Sequence, residues 1–224
     1  MPTPTPAWTA LLLGGFELHV EGLPGASFES RKVEGLFAYL LCHAGRTLSR
    51  DHLASLLWPD RPADSARRNL RQALYNLRSV LDGANGWHGL HADPQTVTLD
   101  LAGGGRLDVA EFEQALARGF HGQEPDLAEL IRAARLYRGD FLQGFSVRGA
   151  EPFEEWLGTQ RLRLRELAIQ VEKTVADRHA SRGDHTLAMQ SAHRVLEMDP
   201  LSEPAHRDLM RLFAVSGRRT RGRT

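Results

Sequence analysis

Four arginines, a glutamine and a tyrosine fall on one side of a single amphipathic segment, residues 62–81, and no acid follows Asp64 in it. At about 100° per residue, Ala66, Leu70, Ala73, Leu74, Leu77, Val80 and Leu81 share one arc of a helix. Arg68, Gln72, Tyr75 and Ser79 run down the centre of the opposite arc, flanked by Arg67, Arg71, Asn76 and Arg78. An ordinary solvated helix alternates the sign of its charges and gains i,i+4 pairs. Here the signs do not alternate, and past the N-terminal Asp64 the cations have no acid beside them. Guanidinium, amide and phenol groups are the side chains that reach phosphate oxygens and base edges, so the expected chemistry is recognition of a nucleic acid.

Bond-making chemistry finds little to stand on. No phosphate-cradling glycine motif with a lysine is present, and Gly103-Gly104-Gly105 reads as a linker. His88 with His91, and His179 with His185, lack a second ligand pair at metal spacing, so neither a metal nor a cofactor is expected. Carboxylates fall at helix starts or on polar faces, where caps and solvation explain them. The expectation is a protein that is not an enzyme.

Bulk charge does not mark a nucleic-acid binder. The 28 Lys and Arg balance 28 Asp and Glu over 224 residues. Only locally does the balance tip, with five Arg against one Asp in residues 61–81. The single cysteine, Cys42, excludes an internal disulfide framework and fits a reducing cytoplasm. No apolar run approaches the roughly 18 residues of a membrane span, and the Pro-rich start lacks the regions of a signal peptide. The expected location is therefore cytoplasmic, on the nucleoid if DNA is bound.

The elements that would position the basic helix can be read on either side of it. Residues 11–13 and 16–21 alternate as a strand pair, and a third strand is expected near Ser27-Phe28. Val33, Leu36, Phe37, Leu40 and Leu41 set a helical period that Gly45 stops. Ser49 can cap a second helix burying Leu53, Leu56 and Leu57, which Trp58-Pro59 ends. After the basic helix, Leu90 and Ala92 alternate before Asp93-Pro94-Gln95, and Val97, Leu99 and Leu101 alternate after it, as in a hairpin. Strands, three helices and a hairpin in that order define a winged helix-turn-helix. In that geometry Arg68, Gln72, Tyr75 and Asn76 approach base edges, Arg67, Arg71 and Arg78 serve phosphates, and Ser79 completes the DNA-facing set. Gln95 and Thr96 at the hairpin tip approach the neighbouring groove, and Ser49 with Arg50 can hold a phosphate at a helix start.

The segments Ser30-Arg31-Lys32, Gly45-Arg46-Thr47-Leu48-Ser49-Arg50, Leu57-Trp58-Pro59-Asp60 and Ala66-Arg67-Arg68-Asn69-Leu70, followed by Leu77-Arg78, resemble the DNA-binding domain of bacterial antibiotic regulatory proteins, which share the winged helix of OmpR-type regulators. Farther on, Asp108-Val109-Ala110-Glu111-Phe112, residues 136–142 and Glu154-Glu155-Trp156-Leu157 are similar to the transcriptional activation domain of the same regulators. The resemblance implies a mainly α fold with a small β part: an OmpR-type winged helix over residues 8–102, then an α-helical, tetratricopeptide-like domain over 107–217, with 1–7 and 218–224 as disordered tails. It implies a sequence-specific activator that binds direct repeats in double-stranded DNA and recruits RNA polymerase. The competing reading is a helical-repeat scaffold that binds a protein partner and touches DNA secondarily.

Ala180 and Gly183 recur as Ala214 and Gly217, 34 residues on, which is the tetratricopeptide period. Residues 203–217 then form the first helix of a repeat whose second helix does not follow, so the family pattern is C-terminally short. Leu209, Leu212 and Phe213 would lack cover there, and either docking onto residues 185–197 or a homodimer through the C-terminal helices is expected.

Overall fold

The computed structural model describes residues 8–81, 88–101 and 105–221, with side chains described through residue 215. The chain divides into two compact units. One takes Met1–Ala110 and Gly139–Arg161, and the other takes Glu111–Arg138 and Leu162–Thr224.

In the first unit β1 (Trp8–Leu11) pairs antiparallel with β2 (Glu17–Val20). Helix α1 (Arg31–Cys42) begins at Ser30, whose side chain accepts from the Val33 N–H. Its buried stripe includes Val33, Leu36, Phe37, Leu40 and Leu41, the residues whose spacing predicts it. Strand β3 (Leu48–Ser49) leads straight into α2 (Arg50–Leu57), and α3 (Ala63–Leu81) follows. The hairpin is β4 (Leu90–Ala92) and β5 (Thr96–Leu99); β3 joins it to give the order β3-β5-β4. This is the winged helix-turn-helix arrangement.

Three expectations need correction here. The first strand is Trp8–Leu11 and shares only Leu11 with the expected 11–13. No strand forms at Ser27-Phe28; Phe28 instead buries its ring against Phe37, with centroids 5.3 Å apart. Nor is Gly105 linker: it opens β6 (Gly105–Leu107), which pairs parallel with β1 and completes the sheet β2-β1-β6. A Cβ on Gly105 would fall within the Trp8 indole, so the residue is a glycine because a fully buried tryptophan lies over it. Gly103 and Gly104 lie outside the described residues.

The sheet is sewn to later sequence by polar contacts. Asp108, buried at the start of α4 (Asp108–Gly119), accepts hydrogen bonds from the N–H groups of Leu12, Leu13 and Val109 at 2.8–2.9 Å. Gly139–Arg161 then lies along the same region: Leu142 N–H donates to Leu12 O at 2.7 Å and Gln143 N–H to Gly14 O at 2.9 Å. The Arg161 guanidinium donates to the carbonyls of Phe141, Leu142 and Phe145 at 2.6–2.9 Å. This holds Leu142 at φ 48°, a left-handed conformation unusual for leucine. Phe153 packs over Gly35, where a Cβ would come within 3.1 Å of the ring, and Trp156 meets Tyr39 edge-on with centroids 4.8 Å apart. The aromatic residues between 141 and 157 thus serve as packing.

The second unit is helical. It contains the greater part of α4, α5 (Leu127–Leu136), the later part of α6 (Glu151–Ser181), α7 (His185–Met198) and α8 (Glu203–Arg221). Asp126 caps α5 through the N–H groups of Ala128 and Glu129, as its position predicts. Gly183, at φ 82°, turns the chain between α6 and α7. Gly217, 34 residues later, lies inside α8, which runs on through Arg221. Helices α7 and α8 pack together, and Leu209 and Leu212 are buried while Phe213 stays about half exposed. Two of the three residues that raised the need for a second copy are therefore covered within the chain.

Candidate nucleic-acid interface

Helix α3 separates its faces as the periodicity predicts. Ala66, Leu70, Ala73, Leu74, Leu77 and Leu81 are buried, while Arg67, Arg68, Arg71, Gln72, Tyr75, Arg78 and Ser79 are exposed. Tyr75 is 68% exposed, which leaves much of a large ring open to a partner. Asn76 does not share that surface: it is buried and its Oδ1 accepts from the Glu29 N–H at 3.2 Å. The helical angle alone leaves Asn76 at the boundary of the two arcs. The backbone N–H of Glu29, in the segment before α1, finds its acceptor there and draws it inward.

The exposed residues differ in what already holds them. Arg68 donates to Ser65 Oγ at 2.8 Å, Arg78 to Leu90 O at 3.4 Å, and Ser79 Oγ to Asn76 O at 2.9 Å. Arg67 makes a bidentate pair with Asp51, Nε to Oδ1 at 2.8 Å and Nη2 to Oδ2 at 3.0 Å, and lies 3.9 Å from Asp64. Hydrogen bonding from Arg67 holds the Asp51 carboxyl below the usual carboxylate range. Arg71, Gln72 and Tyr75 have no hydrogen-bond or ion-pair partner among the described residues.

The hairpin tip is fixed by a single carboxylate. Asp93 accepts from the N–H groups of Gln95 and Thr96 at 2.7 Å and from Thr96 Oγ1 at 2.6 Å. The hydroxyl of Thr96, then the two N–H groups, lower the Asp93 carboxyl from its ordinary value. Gln95 O in turn accepts from Arg50 N–H at 2.9 Å, tying the tip to the start of α2. Between them lies a recess of about 470 Å³ lined by Ser49, Arg50, Asp51, Arg67, Leu70, Arg71, Pro94 and Gln95.

This geometry alters the role expected of Ser49 and Arg50. Ser49 Oγ is the N-cap acceptor for the Asp51 N–H, and the Arg50 N–H is taken by Gln95. Two of the first N–H groups of α2 are thus occupied from within, so any anion there meets the Arg50 side chain and not a ring of free amides. Asp51 was not among the residues that the basic pattern singles out. Its partnership with Arg67 spans 16 residues and two elements, beyond any local spacing rule.

Among the described residues no group of three or more His, Cys, Asp or Glu side chains converges to hold a metal ion, and no helix is long and apolar enough to cross a membrane. What the surface offers is a helix face of cations, an amide and a phenol beside a pinned hairpin. That combination defines a winged-helix protein of the DNA-binding regulator class.

The family comparisons agree with that class. Residues 30–88 match the model described as the C-terminal part of transcriptional regulatory proteins, and residues 107–221 match that of the bacterial transcriptional activator domain. The chain is 31% identical over 194 residues to the regulatory protein AfsR of Streptomyces coelicolor, covering 84% of the chain but 18% of that relative. Mycobacterium tuberculosis EmbR, solved in complex with a low-affinity phosphopeptide, shares the fold with a TM-score of 0.74 at 22% identity, over 96% of this chain and 56% of EmbR. The chain belongs to the bacterial antibiotic regulatory protein family, transcriptional regulators that join an OmpR-type winged helix to a bacterial transcriptional activator domain.

Proposed function

We propose that the protein is a sequence-specific, DNA-binding transcriptional activator that sets α3 into the major groove of direct repeats beside a promoter. The observation that carries this reading is the exposed face of α3, where among the described residues Arg71, Gln72 and Tyr75 have no partner and Arg68 bonds only to a neutral hydroxyl. Arg68, Gln72 and Tyr75 lie along the centre of that face and are assigned to base edges. Arg71, Arg78 and Ser79 are assigned to phosphates and the groove rim. Gln95 and Thr96, held at the hairpin tip, approach the adjacent minor groove, and Arg50 reaches a phosphate from the recess. The helical unit is assigned to recruitment of RNA polymerase. Copies on adjacent repeats would meet through the C-terminal helices, where Met210 and Phe213 remain exposed. The site of action is the nucleoid in the cytoplasm.

The test is selection of bound fragments from the organism's own genome, followed by titration of the enriched duplex. Arg68→Ala or Gln72→Ala is expected to relax base preference by about 1–3 kcal/mol, whereas Arg71→Ala weakens all sequences alike and reduces the salt slope by about one. If no sequence is enriched, the helical-repeat scaffold replaces this reading.

A further inference from the structure

Among the described residues, Arg67 is the one arginine of the four on α3 that faces a carboxylate, and it does so with both oxygens engaged at 2.8 and 3.0 Å. Both partners are largely exposed, at 53% and 66% of their side-chain area. An exposed pair of this kind adds little to folding stability, because water and salt screen it and two long side chains must be ordered. Its position is more telling than its strength. Asp51 lies in the first turn of α2 and Arg67 in the second turn of α3, and both line the recess that ends at the hairpin tip. A phosphate entering there meets Arg50 and Arg71, but Arg67 has two of its donors committed to Asp51, whose own charge opposes the anion.

We propose that Asp51 is a specificity-determining residue, which withdraws Arg67 from the phosphate-binding set of α3 and so lowers affinity for duplex DNA of arbitrary sequence. The inference rests on the reading of α3 as the DNA-contacting helix. Binding without sequence preference comes almost wholly from cations that displace counterions from phosphates, so each cation removed from that set weakens it. Contacts to base edges from Arg68, Gln72 and Tyr75 do not depend on Arg67. Holding one arginine back therefore widens the ratio between the right sequence and all others, which is the quantity that governs occupancy in a genome. Asp64, at 3.9 Å from Arg67, adds to the same local cancellation from within α3.

The experiment is a salt titration of the full chain on mixed-sequence duplex DNA, comparing wild type with Asp51→Asn and with the double variant Asp51→Asn/Arg67→Ala. Asp51→Asn should bind about three- to tenfold tighter at low salt, with a slope in log salt steeper by about one, as expected for one added phosphate contact. The double variant should lose that gain. The thermal midpoint of Asp51→Asn should stay within about 2 °C of wild type, as fits an exposed pair. An unchanged slope in Asp51→Asn overturns the proposal, and so does a gain that persists without Arg67, which would make Asp51 a general repulsive charge. A wild type that binds no duplex at low salt removes the DNA reading itself, and this inference with it.

Discussion

Arginines of the helical unit and three of the four on α3 have opposite surroundings, Arg67 with its Asp51 partner being the exception. In the helical unit Arg163 meets Glu113 at 2.7 Å, Arg194 meets Glu172 at 3.0 Å, Arg132 meets Glu129 at 3.4 Å and Arg178 meets Glu124 at 3.6 Å. On α3, Arg68 and Arg78 bond to uncharged oxygens, and Arg71 has no partner among the described residues. The overall charge is zero, so this difference vanishes in the composition. Cations that have found acids within their own chain stabilise or solubilise it; cations held on one face without acids keep their field for something outside. Between these extremes stands Arg161, whose guanidinium binds three backbone carbonyls and builds the unit to which α3 belongs.

The largest expected effect comes from cutting the chain where the linear domain division would cut it. A fragment of residues 1–102 retains α3 but loses β6, the Asp108 carboxylate and Gly139–Arg161. Leu12 and Leu13 would lose the acceptor for their N–H groups, and Tyr39 and Phe16 would lose their aromatic neighbours Trp156 and Phe145 from the later segment. Buried donors left unpaired cost about 1–3 kcal/mol each, comparable in sum with the stability of a small domain. The fragment should show no cooperative thermal transition by circular dichroism, whereas residues 1–161 should regain one. A fragment 1–102 that melts cooperatively would mean that the winged helix is self-sufficient.

Next in size is the contrast between one arginine of each kind. Glu172 is 3% exposed and its carboxylate is paired to Arg194 across α6 and α7. Arg194→Ala leaves that buried charge alone and should cost about 2–3 kcal/mol in denaturant unfolding. Arg71→Ala should change stability by less than about 0.5 kcal/mol, because no described residue bonds to it. Equal losses in the two variants would break the comparison.

How far the sequence disclosed this arrangement depended on the range of the interactions. The faces of α3, the Ser49 and Asp126 caps and the hairpin follow from spacings of two to four residues, and each is legible in the pattern. Gly105 was misread because its partner, Trp8, lies 97 positions earlier on a parallel strand, and a run of three glycines looks the same whether it is a linker or a close approach. Asn76 followed the helical angle but not the demand of the Glu29 N–H, 47 residues away. The membership of Gly139–Arg161 in the first unit had no local signal, since its aromatic residues suit any helical core. Within the interface, the cations were legible by type, and the carboxylate that restrains one of them was not.

The smallest effect concerns the acid at the hairpin tip, and it sharpens the comparison because Asp93 is held chiefly by neutral donors. The Thr96 hydroxyl and the N–H groups of Gln95 and Thr96, with a lesser contribution from the charge of Arg50, lower its carboxyl below the ordinary value of about 3.8. A carboxyl lowered in the folded state adds stability that is complete above its ordinary value and is lost as pH falls through the lowered one. The turn should therefore be indifferent to pH near neutrality and loosen only below about pH 4. Backbone amide resonances of Gln95 and Thr96, followed by NMR through an acid titration, should move with a midpoint under 3.8 and stop moving in Asp93→Asn. A midpoint at or above that value would mean that these three bonds do not hold the carboxylate. The hairpin would then end in a loose loop rather than a fixed tip.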